Sequence, residues 1–167
     1  MADATDFVRM EVRGLVIDSS SNAPIVLLRD ETGEAILPIW IGPFEASAIS
    51  VAFEQQAMPR PLTHDLLLSA FSRLGARVEH VAVTDLRDGT FFAEVHVTHS
   101  GEPLIFDSRP SDAIAIALRV RCPILVARSV LAQAQISIHS EDEDDKQERL
   151  RRMLEELDAD ELGKYTM

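Results

Sequence analysis

The sequence predicts an α+β fold: a mixed, largely antiparallel sheet with three main helices packed on it, followed by a C-terminal amphipathic helix. Three stretches lead to that class. Residues 107–126 read as a β-turn-α-β unit, in which Pro110 and Ser111 open an alanine-rich helix and Pro123 closes it before Ile124-Leu125-Val126. Proline suits a first helical turn because its missing N–H would have no partner there, and Ser111 is the expected cap. Residues 77–86 and 90–99 read as a hairpin, since Asp88-Gly89 supplies the positive φ that a tight turn needs. Residues 7–18 and 25–30 are apolar or β-branched runs separated by Ser19-Ser20-Ser21-Asn22, which makes them an antiparallel pair.

The remaining elements follow in order. Residues 35–41 form a strand interrupted by Pro38, which cannot donate to a ladder and so places the strand at an edge or a bulge. Gly42-Pro43 breaks into a helix over 44–57, where Glu45, Ile49 and Phe53 share one face. After Pro59 and Pro61, Thr63 is the expected cap of a helix over 64–74, and Gly75 its C-terminal stop. His64 falls on the side of Leu67, Leu68 and Phe71. Alternation in 90–99 turns Phe91, Ala93, Val95 and Val97 one way, and Phe92, Glu94, His96 and Thr98 the other. His80, His96 and His99 therefore read as strand-face residues and not as metal ligands. Residues 129–135 suggest a short helical segment, and 141–145 an acidic linker. Leu150, Met153, Leu154 and Leu157 then repeat at helical spacing. The expected division is a domain over 1–136 and a linker-plus-helix over 137–167.

A chain of 167 residues with 46% hydrophobic content is long enough for one core. No apolar run approaches the roughly 20 residues that span a bilayer, and the first residues resemble no export signal. A cytoplasmic protein without membrane contact is the expectation. Cys122 is the single cysteine, which excludes an internal disulfide and a multi-cysteine zinc site. The net charge is −12, and residues 1–140 contain arginine but no lysine. That balance excludes the broad cationic stripe of a duplex-binding protein, so any nucleic-acid site must be local.

Each main helix opens with a proline and a carboxylate: Pro43-Phe44-Glu45, Arg60-Pro61-Leu62-Thr63-His64-Asp65, and Arg109-Pro110-Ser111-Asp112. This is ordinary helix-start chemistry. Were the three starts to meet, they would gather Glu45, Asp65, Asp107 and Asp112 with His64, Arg60 and Arg109. Such a set has the parts for metal-assisted phosphodiester hydrolysis: carboxylates to hold an ion that acidifies water, and arginines to offset phosphoryl charge.

The strings Leu37-Pro38-Ile39-Trp40-Ile41-Gly42-Pro43-Phe44-Glu45-Ala46, Arg60-Pro61-Leu62-Thr63-His64-Asp65-Leu66 and Asp107-Ser108-Arg109-Pro110-Ser111-Asp112-Ala113-Ile114-Ala115 resemble the three signature blocks of the bifunctional nuclease domain family. The resemblance implies an α+β fold, a homo-oligomer such as a dimer, and activity on both RNA and DNA. Carried onto these blocks, His64, Asp65 and Asp112 are the catalytic candidates, and Arg60 and Arg109 the phosphate contacts. Glu45, Asp65, Asp107 and Asp112 are the candidate ligands of Mg²⁺ or Mn²⁺. Two alternatives are a non-enzymatic small-anion-binding or regulatory homo-oligomer, and an interaction protein whose acidic tail binds a partner.

Overall fold

The computed structural model describes residues 6–140. Seven strands, β1 (Phe7–Ile17), β2 (Pro24–Asp30), β3 (Ile36–Trp40), β4 (Ala76–Arg87), β5 (Thr90–His99), β6 (Glu102–Ser108) and β7 (Ile124–Ala127), alternate with helices α1 (Pro43–Phe53), α2 (Thr63–Arg73), α3 (Pro110–Val120) and α4 (Arg128–Ser140). One sheet contains all seven strands in the order β3-β2-β1-β7-β4-β5-β6. The β4–β7 pair is parallel and the other pairs are antiparallel. The α+β class with a mixed, largely antiparallel sheet is therefore observed.

Local chemistry explains most of the boundaries. Pro38 lies in β3, at one edge of the sheet, as its missing donor requires. Asp88 and Gly89 both take positive φ, and Ser100 with Gly101 repeat the arrangement between β5 and β6. Both two-residue turns thus match the right-handed twist of their strands. The β-turn-α-β unit is present, but its strands are not neighbours. From the edge strand β6, α3 carries the chain back past β5 and β4 to β7.

Two expected caps are corrected. Arg109, not Ser111, is the N-cap residue of α3, and Ser111 lies buried inside the first turn. In α2 the N-cap residue is Leu62 rather than Thr63, and Asp65 accepts its N–H at 2.8 Å. The short segment expected over 129–135 is the start of α4, a fourth helix continuing to Ser140. The acidic linker and the helix expected around Leu150–Leu157 lie outside the described residues.

The core forms between α1, α3 and the facing side of the sheet. Ile49 of α1 and Ala113, Ile114, Ala115, Ile116 and Ala117 of α3 join Leu28, Leu37, Val81, Val83, Val95 and Val97 in one buried cluster. Alanine at 113, 115 and 117 lets α3 approach its neighbours closely, and α1 packs directly on it. Strand β2 is apolar on both faces because Val26 and Leu28 enter this cluster while Ile25 and Leu27 join Val16 in a smaller one. Helix α2 differs, for none of its residues is buried.

The fully buried Ile114 should behave as a packing centre. Ile114→Ala is expected to lower the unfolding free energy by about 2–5 kcal/mol, and Ala115→Leu by about 1–3 kcal/mol through overpacking. Urea denaturation of the two variants beside the wild type measures both effects.

Candidate functional site

Helix α1 begins at Gly42, and Pro43 takes the first helical position. A Cβ on Gly42 would collide with the Glu45 carboxylate. Glycine at 42 thus makes room for Glu45 to fold back over the helix start. The residue's own backbone N–H, and secondarily Arg109, hold the Glu45 carboxyl below its ordinary pKa.

The start of α3 supplies the next two members. From the N-cap position, Arg109 donates through Nε to Asp112 Oδ2 at 2.7 Å and through an Nη to Glu45 Oε1 at 2.6 Å. One planar guanidinium therefore bridges α1 and α3. The other Asp112 oxygen, Oδ1, lies 2.9 Å from His64 Nε2 on α2. Partial burial pushes the Asp112 carboxyl up, but its bonds to Arg109 and His64 outweigh this and leave it below the ordinary range. The two carboxylates raise the Arg109 pKa further. Side chains from three helices so form one bonded chain: Glu45, Arg109, Asp112, His64.

This chain stands beside a cavity of about 710 Å³, bordered by His64, Asp107, Arg109 and Asp112 at its polar side. Leu67, Phe71, Phe91, Phe92, Val95 and Phe106 form most of the remaining wall. Phe71 of α2 stacks on Phe106 of β6 with ring centroids 5.5 Å apart. Arg109 is 63% exposed, whereas the His64 side chain is only 14% exposed. The cation is thus presented to solvent and the imidazole is sheltered.

Two sequence candidates, Asp65 and Arg60, lie elsewhere, and a third, Asp107, borders the cavity without joining the bonded chain. Asp65 turns away from His64, accepting from Leu62 N–H and, at 2.8 Å, from Arg119 Nε. Those bonds, that of Leu62 first, hold its carboxyl below the ordinary range. Arg60 borders a second cavity with Asp65, Arg119 and Arg121. Asp107 pairs with Glu94 in the β5–β6 register and is exposed at the rim of the first cavity. The carboxylates Glu45, Asp65, Asp107 and Asp112 consequently do not face one point. Among the described residues, no group of three His, Cys, Asp or Glu is arranged to hold a metal ion. Both Asp112 oxygens and both Asp65 oxygens already have partners.

Sequence reasoning missed Arg119 and the aromatic wall. In sequence Arg119 is only a basic residue in the last turn of a helix, yet its side chain is only 8% exposed and ties α3 to Asp65 and to the Ala48 carbonyl. The inward alternation of Phe91 and Val95 was legible, but nothing in one strand reveals that Phe71 and Phe106 meet beside it. The strand-face reading of His80 and His96 holds in part: their rings stack, with centroids 4.2 Å apart, and His96 bonds to Glu94.

Comparison with known proteins gives the same three blocks a family. Residues 26–139 match the bifunctional nuclease domain. An uncharacterized protein of Mycobacterium tuberculosis is 40% identical over 169 residues, covering 92% of this chain and 96% of that protein. Bifunctional nuclease 2 of Oryza sativa subsp. japonica is 32% identical over 122 residues, which is 71% of this chain and 38% of the rice protein. Bifunctional nuclease 2 of Arabidopsis thaliana is 31% identical over 108 residues, 63% of this chain and 32% of the plant protein. The alignments with these plant nucleases thus span about a third of their lengths. With most of its described sheet, and all three blocks that build the Glu45-to-His64 arrangement, inside the matched region, the chain belongs to the bifunctional nuclease domain family.

Proposed function

We propose that this chain is a nuclease cleaving single-stranded nucleic acid at the cavity beside His64. The observation that carries the reading is the continuous chain Glu45–Arg109–Asp112–His64 next to an aromatic wall. With His64 neutral and donating Nε2–H to Asp112, the lone pair rests on Nδ1. That nitrogen can accept a proton from an attacking water, and Asp112 then stabilises the imidazolium. Water rather than a ribose hydroxyl must be the nucleophile if DNA is also a substrate. Exposed Arg109, already positioned by two carboxylates, offsets charge gathering on the phosphoryl oxygens. Phe71, Phe91 and Phe106 offer faces to unpaired bases, which favours single strands over duplex.

Labelled single-stranded RNA and DNA test this reading, with wild type, His64→Gln and Asp112→Asn assayed at low salt in Mg²⁺, Mn²⁺ or EDTA. Each variant is expected to lose about 10²- to 10⁴-fold in cleavage rate. Its melting temperature should move by only a few degrees, because Gln and Asn keep much of the size and the hydrogen-bonding capacity of the residues they replace. Equal cleavage by all three proteins would sink the assignment. Loss of wild-type activity in EDTA would add a divalent ion to the reaction.

Gly42 provides a second check on the same arrangement. Gly42→Ala should fold normally, because the atom displaced is the mobile end of Glu45, but it should free Arg109 from one of its two carboxylates. Combining it with Glu45→Ala should then cost no more cleavage than Glu45→Ala alone, whereas additive losses would show that the two positions act independently.

The same reading includes a homodimer formed through β6. This edge strand is exposed along nearly its whole length, with Ile105 59% exposed between Leu104 and Phe106. Counting out from the two-residue turn, the backbone groups of Pro103, Ile105 and Asp107 point away from β5. Antiparallel pairing of two copies about Ile105 sets the Asp107 N–H of each opposite the Pro103 carbonyl of the other, a self-complementary match that needs no N–H from proline. Light scattering on a sizing column should give twice the chain mass for wild type and the single mass for Ile105→Lys. A monomeric wild type would overturn the dimer without touching the cleavage result.

A further inference from the structure

The second cavity, about 510 Å³, lies between the end of α1, the Met58–Pro61 connection, the start of α2 and the end of α3. Its wall contains three arginines, Arg60, Arg119 and Arg121, and one carboxylate, Asp65. On a chain of net charge −12 this is a local excess of positive charge.

Arg119 shows that the surroundings do not satisfy this charge. It gives Nε to Asp65 at 2.8 Å and one Nη to the carbonyls of Ala48 and Ala115 at 3.0 and 2.9 Å. The other Nη is sealed from solvent and has no hydrogen-bond partner among the described residues. A buried donor on a cation is costly to leave unpaired, and buried polar groups are otherwise nearly always satisfied. Arg60 and Arg121, both exposed, form no ion pair with any described residue. The backbones of Arg121 and Gln55, on two sides of the cavity, are both held at positive φ, 57° and 53°. That is the ordinary left-handed conformation in which a helix ends, here α3 and α1, and it brings both residues to the cavity.

From these features we infer that the cavity binds a phosphoryl dianion. Beside the enclosed Arg119, the exposed Arg60 and Arg121 present two open guanidinium forks, more donors than one carboxylate can take up, whereas a phosphate can accept from both. Gln55 and Gln56 line the same space and can donate to further oxygens. The phosphate can belong to a small free anion or to the end of a nucleic-acid strand. The site is distinct from the His64 cavity: neither Arg109 nor Asp112 lines it, and the binding does not depend on cleavage.

Calorimetry on the full chain at low salt, with inorganic pyrophosphate as the probe, tests the inference. Saturable binding is expected, weakened at least tenfold in the Arg60→Gln/Arg121→Gln double variant and unchanged in Asp112→Asn. Both changed arginines are exposed, so the double variant should fold, as circular dichroism and melting will show. A 5′-phosphorylated DNA pentamer run beside its 5′-hydroxyl counterpart assigns the source. Tighter binding of the phosphorylated strand than of pyrophosphate means a strand end, and the reverse order means a free anion. Absence of saturable binding for every probe, or equal affinity in wild type and double variant, would overturn the site. Because Asp112→Asn is predicted to lose cleavage and keep pyrophosphate, failure of either reading leaves the other measurable.

Discussion

Burial of α3 is the constraint on which both cavities depend. Its alanine-rich face is sealed against α1 and the sheet, so the helix cannot slide or rotate without opening the core. Eleven residues span roughly 16 Å at the α-helical rise. The apolar middle therefore holds two charged ends at a fixed separation, Arg109 and Asp112 at the start and Arg119 and Arg121 at the finish. Charge is confined to those ends because the interior of the helix has no water to solvate it.

Helix α2 is positioned by a mixture of means. None of its residues is fully buried, although Leu68 and Phe71 pack against the core. Two polar ties add to that packing: His64 to Asp112 at the start of α3, and Asp65 to Arg119 near its end. Adjacent helical residues point about 100° apart, which is why neighbours in sequence can grip two different places on one partner helix. Phe71 on Phe106 then joins α2 to the edge of the sheet. The first turn of α2 thus serves as a brace and a source of the imidazole at once.

This split explains what was legible in the sequence. Turn chemistry at Asp88-Gly89, the edge role of Pro38 and the enclosure of residues 113–117 are decided by local backbone rules and by a continuous apolar pattern, and all three are observed. Glu45, His64, Arg109 and Asp112 were singled out in the sequence because each helix start carried a carboxylate and two of the three also an arginine. Their pairing was not. Grouping Asp65 with His64 assumed that neighbours in a motif share a site, and helical geometry sends them apart. Arg60 was grouped with Arg109 by chemistry alone, and only the fold assigns it to the other end of α3. The capping expectation for Ser111 failed for a related reason: the tightly buried first turn draws the serine inward, and Arg109 takes the position before it.

On the proposed nuclease reading, the acidity of the chain and a polyanionic substrate are reconciled by this placement. Arg109 is held between two carboxylates, a formal sum of −1 over the three groups, so the site exerts no long-range attraction on a polyanion. In the proposed reaction, selection of substrate comes from contact, through the aromatic faces of the cavity and a guanidinium already oriented before the phosphate arrives. In the proposed dimer the same strand contributes to both functions: Phe106 lines the cavity from β6 while the backbone of Ile105 pairs with the second copy. Assembly would stiffen the least buried wall of the site, and α2, tied to that wall through Phe71, would be stiffened with it. The proposed nuclease would rely on short-range shape and stacking, which is how a strongly acidic surface could coexist with a site for nucleic acid.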